Sequence, residues 1–193
     1  MFSVFIFVPI YIKFFGIENY AVIGFYTLLL GIISFADSGM SSAIIKEFSL
    51  ENTANYKYSV LRKIENLYLF ICITICLNIC LFSGFISVKW LNSSSISSEL
   101  LQYYVVLIGI GTAIQLLSSL YFGALFGIGL QVKSNIYQII WNIFKAGIVL
   151  LPVIFFKASL SFYFIFQIIC NILYVLVLRF SVIKILKKEC SNK

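Results

Sequence analysis

Charge is what this sequence has least of. Only 11% of its 193 residues are charged, against 62% that are hydrophobic. Soluble domains are about a quarter charged and about 45–50% apolar, so a water-soluble domain is excluded and lipid is the solvent that can take this surface. Histidine is absent, and no Cys-x-x-Cys occurs among the five cysteines, which leaves no basis for a metal site. Cys72, Cys76 and Cys80 share one helix face at i, i+4, i+8, too far apart in pairs for a bridge. They read as small apolar residues lining a helix contact. The sequence also lacks a nucleotide-binding glycine loop, a pair of carboxylates within an apolar run and a soluble lobe. Together these absences point away from an enzyme and imply no cofactor.

What is there is a series of apolar runs. Glu18 to Asp37 encloses 18 uncharged residues, Glu65 to Lys89 encloses 23, Glu99 to Lys133 encloses 33 and Lys157 to Arg179 encloses 21. A helix rising about 1.5 Å per residue needs roughly 20 residues to cross a hydrocarbon core of about 30 Å. Between Lys133 and Lys157 a fifth run of 23 residues is interrupted once, at Lys145. A sixth stretch, Met1 to Ile12, has no basic residue before it and no small-x-small cleavage site, so it reads as a spanning helix rather than a signal peptide. Its shortness suggests a helix whose first turns are missing. The expected fold is therefore all-α and transmembrane, one domain over 1–193 with helices at about 2–15, 19–40, 64–88, 100–127, 134–156 and 159–181.

Basic residues stay on the cytoplasmic side. One set of connections holds Lys46, Lys57, Arg62, Lys63, Lys133, Arg179, Lys184, Lys187, Lys188 and Lys193, and the other holds Lys13, Lys89 and Lys157. Ten against three places the C-terminus in the cytoplasm and the loop after Trp90 outside. The net charge of +7 is accounted for by topology and does not call for nucleic acid.

A charge within hydrocarbon costs at least about 2.5–3.5 kcal/mol and marks a functional candidate. Lys145 is that residue. With Asn135, Gln138 and Asn142 it follows steps of three, four and three, which places four polar side chains on one helical stripe. Thr112, Gln115 and Ser119 form a similar stripe on the preceding helix, and Gln167, Asn171 and Tyr174 on the following one. Three such faces can enclose a wet, cationic vestibule, or each can be interhelical hydrogen bonding. Gly123 and Gly127 make a small-xxx-small pattern suited to close helix packing. Asp37, followed by Gly39, either caps its helix at the cytoplasmic interface or turns into the cavity, with the interface favoured, and no carboxylate is expected near the centre of any span. Pro152 frees a backbone carbonyl late in the fifth helix and permits a bend.

The run Val8-Pro-Ile-Tyr-Ile-Lys-Phe-Phe-Gly16-Ile-Glu18-Asn-Tyr20, with Gly24 to Gly31 and Ala36-Asp-Ser-Gly39 behind it, resembles the first loop and second helix of bacterial O-antigen and capsule polysaccharide flippases. These belong to the multidrug, oligosaccharidyl-lipid and polysaccharide exporter superfamily. Phe15 stands where that pattern has Leu, and Ala21 where it has Gly. A second block, Tyr121-Phe-Gly123-Ala-Leu-Phe-Gly127-Ile-Gly-Leu-Gln131-Val-Lys-Ser-Asn135, is similar to the family's run into its fifth helix. Lys145 occupies a position where arginine is usual. The resemblance spans nearly the whole chain.

The resemblance implies one six-helix lobe of a two-lobe exporter in the bacterial inner membrane, lacking its second lobe. Its cargo would be an undecaprenyl-diphosphate-linked oligosaccharide, and a missing lobe or a second copy would complete it. Two other readings stay open. A drug or cation exporter of the same superfamily is expected to carry an acidic residue deep in the lobe. A non-transporting membrane subunit would turn its polar stripes onto one another instead of onto a cavity.

Overall fold

The computed structural model describes residues 12–51, 53–91, 96–156 and 159–191. Among them are five long helices and no strand: α1 (Ile17–Ser49), α2 (Ala54–Ile86), α3 (Ser98–Gly127), α4 (Gln131–Phe156) and α5 (Leu160–Ser191). One π-helical turn, Ser87–Leu91, prolongs α2. The expected first helix lies outside the described residues except for 12–15, which are helical and stop at Gly16, whose φ of 82° only glycine adopts freely. Four of the helices, α1, α2, α3 and α5, are long and apolar enough to cross a membrane. The helical form follows from the solvent: lipid offers no partner to a backbone N–H or C=O, so each must be satisfied within its own segment.

Three helices run further than the uncharged runs predict. α1 continues to Ser49 instead of 40, α2 begins at Ala54 instead of 64, and α5 continues to Ser191 instead of 181. The added turns carry Lys46, Lys57, Arg62, Lys63, Lys184, Lys187 and Lys188. A charge ends a membrane span but not a helix. At 33 residues α1 is about 50 Å long, well beyond the hydrocarbon core. These overruns meet at one end of the bundle, where Lys57 donates to the Phe48 carbonyl at 2.9 Å and the Tyr56 hydroxyl to Glu47 at 3.0 Å.

Local signals fix the other boundaries. The side chains of Thr53, Ser97 and Ser159 accept from the backbone N–H three residues on, at 3.4 Å each, relieving donors that a helix start leaves unpaired. α3 ends in a Schellman turn: Gly129, at φ 88°, donates to Phe126 and Leu130 donates to Leu125, both at 3.0 Å. That turn lets α4 start at Gln131, earlier than the expected 134.

α3 is the central helix and packs along α1, α2 and α5; among the described residues α4 rests on α3 and α5. Val105, Ile108, Leu120, Ala124 and Leu125 of α3 are fully buried. The outward faces remain apolar, with Ile32 and Phe35 of α1, Phe70 and Leu81 of α2 and Phe180 of α5 exposed, as a lipid-facing surface requires. Cys72 of α2 donates through Sγ to the Ala113 carbonyl of α3 at 3.0 Å, Cys76 lies near Gly109 O, and Cys80 is exposed; all three are free thiols.

Gly123 and Gly127 bring α3 against the end of α1. A Cβ on Gly123 would sit 3.4 Å from Ile44, and one on Gly127 only 2.6 Å from both the Ile45 carbonyl oxygen and the Phe48 Cβ. Backbone cannot yield there as a flexible side chain would. Gly127→Leu is therefore predicted to destabilise the bundle by about 1–3 kcal/mol or more, the range for overpacking, read as a lowered Tm in detergent. Gly39, exposed and with nothing within 4 Å of its virtual Cβ, is the contrast: Gly39→Ala should leave Tm unchanged or raise it. Equal losses at both positions would refute the close-approach account.

Candidate functional site

A cavity of about 550 Å³ opens between α1, α3, α4 and α5. Its walls follow from helical spacing. Ser34, Asp37, Ser38 and Ser41 recur at threes and fours along α1, Thr112, Gln115 and Ser119 along α3, and Gln138, Asn142 and Lys145 along α4; each set falls on one face. Ser118, Trp141 and Tyr174 complete the polar lining, with Leu30, Ile33, Leu116 and Phe122 as its apolar part.

Lys145 donates through Nζ to Asn171 Oδ1 at 2.9 Å, and Asn171, 1% exposed, passes its own Nδ2 proton to the Gly111 carbonyl at 3.1 Å. The ammonium is thus held by a neutral amide from α5, which orients it without cancelling its charge. Thr112, fully buried, donates to Gly109 O at 2.9 Å, and Ser118 and Ser119 donate to Gln115 O and Leu116 O. Those hydroxyls spend their protons on their own helix. Their oxygens remain as acceptors. Trp141 stacks on Tyr174 with ring centroids 5.2 Å apart at 15°, and the indole N–H and phenol hydroxyl are buried without a hydrogen-bond partner.

Of the two placements open to Asp37, the structure takes the cavity and not the favoured interface. The residue lies inside α1, is 4% exposed, and stands on the cavity wall instead of at a helix end. Its Oδ1 accepts from the Tyr68 hydroxyl at 2.7 Å and its Oδ2 from Ser41 at 2.6 Å. The reason is that Tyr68 of α2, 31 positions away, provides a buried donor that no local pattern announces. A charge that has tertiary partners need not mark a membrane boundary.

Among the other expected residues, Lys145, Asn142, Gln138, Gln115 and Thr112 line the cavity and Asn171 lies directly behind Lys145. Asn135 is exposed and off the wall, because the α4 stripe drifts past the cavity's end. Gln167 is buried, its Oε1 has no partner among the described residues, and it is also off the wall, so the α5 stripe contributes less than expected. Pro152 falls within α4, and its side chain lies outside the described residues. The α1 wall extends beyond Asp37 to Ser34, Ser38 and Ser41, whose spacing carries the same signal as the stripes expected on α3 and α4.

A second buried charge lies apart from the cavity lining. Glu65 of α2 accepts from Arg179 Nε at 3.0 Å and Nη2 at 3.4 Å and from the Tyr121 hydroxyl at 2.8 Å, tying α2, α3 and α5 together.

Comparison with protein-family models, with curated proteins and with solved structures found no match for this chain.

Proposed function

We propose that the chain is one lobe of a membrane carrier that moves undecaprenyl-diphosphate-linked oligosaccharide, the precursor of O-antigen or capsule, from the cytoplasmic to the periplasmic leaflet of the bacterial inner membrane. The observation that carries this reading is a polar cavity with an ammonium at its wall, set among helices with apolar outer faces. A lipid diphosphate leaves its tail in the bilayer and must take its anionic headgroup through low dielectric. A wet vestibule with a fixed positive charge lowers that cost. Amides and hydroxyls from Gln115, Asn142 and the serines suit the sugars. A second lobe, supplied by another segment or another copy, would complete an alternating-access carrier. The basic end of the bundle, with the C-terminus, would face the cytoplasm. Such a protein performs no covalent chemistry.

The stripes of α3 and α4 line a cavity, which favours a carrier, while the bond from Lys145 of α4 to Asn171 of α5 is an inter-stripe contact of the kind a non-transporting subunit would make. Asp37 on the same wall favours a second reading, an exporter of lipophilic cations. One binding experiment separates the two. In detergent, a Trp90→Phe variant reports through Trp141 on the cavity wall. Undecaprenyl diphosphate should quench its emission saturably and more tightly than undecaprenol. Equal response to the charged and neutral lipids would overturn the flippase reading, and preferential quenching by a tetraphenylphosphonium-type cation would replace it with the exporter.

A further inference from the structure

Asp37 and Lys145 line one cavity, on α1 and α4, and each is held by neutral groups instead of by the other. A buried carboxylate gains from hydrogen bonds, but Tyr68 and Ser41 only position it, and among the described residues no basic side chain pairs with it. The neighbouring ion pair shows the alternative the fold had at hand, since Glu65 has Arg179 at 3.0 Å. A carboxylate offers about four lone-pair sites, of which Tyr68 and Ser41 take two. The remaining sites belong to a group on the cavity wall, and a cation would satisfy them best.

The two charges also limit what the cavity can hold. Its lining contains one formal positive charge and one formal negative charge, so a ligand that is only anionic meets attraction at Lys145 and repulsion at Asp37. Resting on the flippase reading above, we propose that the cargo is zwitterionic at the cavity: the diphosphate lies at Lys145, and a sugar bearing a free ammonium, an unacetylated amino sugar, places that group at Asp37. The carboxylate then acts as a specificity element, favouring the free amine over its N-acetyl counterpart, which carries no charge and presents a bulky amide. Tyr68 and Ser41 serve as positioning residues that aim the carboxylate.

Three soluble probes on one scaffold test this in the Trp90→Phe protein: glucosamine 1-phosphate, N-acetylglucosamine 1-phosphate and glucose 1-phosphate. Glucosamine 1-phosphate should bind about tenfold more tightly than either of the others, the scale of a partly desolvated charge pair. In Asp37→Asn, an isosteric change that keeps a side-chain oxygen, the preference should fall to about twofold or less while glucose 1-phosphate binds as well as before or better. The comparison of probes on the unaltered side chain stands even if the variant does not fold. Equal affinity for the three phosphates, or a preference that survives Asp37→Asn, overturns the assignment of Asp37. If undecaprenyl diphosphate binds while the amine preference is absent, only this inference falls. If neither that lipid nor any sugar phosphate binds, the flippase reading falls with it.

Discussion

Lys145→Ala is expected to weaken the binding of undecaprenyl diphosphate at least about tenfold and to abolish its transfer between leaflets, while Lys145→Arg keeps much of both. The expectation follows from how the ammonium is held. Asn171 orients it at 2.9 Å through an amide that is itself fixed to Gly111 O, so the charge is fixed in position yet available to a ligand. Removing one partner of a desolvated charge pair costs about 2–5 kcal/mol, and about 1.4 kcal/mol is already tenfold. Arginine preserves the charge and can still donate to Asn171, although its planar fork presents the charge differently from a compact ammonium. The alanine variant must first be shown to reach the membrane in normal amounts and to elute as a folded species in detergent. Normal lipid binding by that variant would reduce Lys145 to a side chain that packs or snorkels, and the cationic-cavity mechanism would be wrong.

A large loss of stability should come from Arg179→Ala. Glu65 is 6% exposed and receives both Arg179 and the Tyr121 hydroxyl. Removing the arginine leaves a buried carboxylate with one neutral donor. Breaking a buried pair in that sense costs about 3–5 kcal/mol. The Arg179 side chain is itself 36% exposed, so a loss of about 2–3 kcal/mol is the expected size after solvent screening. The reverse change should be milder, because in Glu65→Gln the arginine can turn to solvent and the amide still accepts from Tyr121. Thermal unfolding in detergent should therefore rank the two variants clearly, with Arg179→Ala well below Glu65→Gln and the double variant Glu65→Gln/Arg179→Ala recovering part of the difference. If Glu65→Gln proves the more damaging, the buried-carboxylate argument is wrong and hydrogen-bond geometry dominates instead.

The parts of this protein that the sequence made legible are those governed by one-dimensional rules. Uncharged runs marked the helices, since a bilayer imposes a minimum length. The steps of three and four at Thr112, Gln115 and Ser119, and at Gln138, Asn142 and Lys145, placed them on common faces, and those faces do line a cavity. The rest depended on partners far away along the chain. For Asp37 the sequence left boundary and cavity both open, and Tyr68, whose hydroxyl holds it at the cavity, lies 31 positions away. Glu65 and Arg179 read as the edges of two spans, yet they meet across 114 positions. Treating every charge as a solvated end also cut α1, α2 and α5 short by about three turns each, because water-exposed helix continues wherever its neighbours and caps support it.

The Schellman turn at Gly129 is the joint between the central helix and the cavity wall that carries Lys145. Lys145 stands 16 residues beyond Gly129, roughly 24 Å along the helix axis. A tilt of about 10° about that glycine, modest for a hinge at an element end, carries the ammonium about 4 Å sideways, more than the whole length of its hydrogen bond to Asn171. A change in that one angle would alter two quantities together: the width of the cavity, and the span across which Asn171 can orient the ammonium.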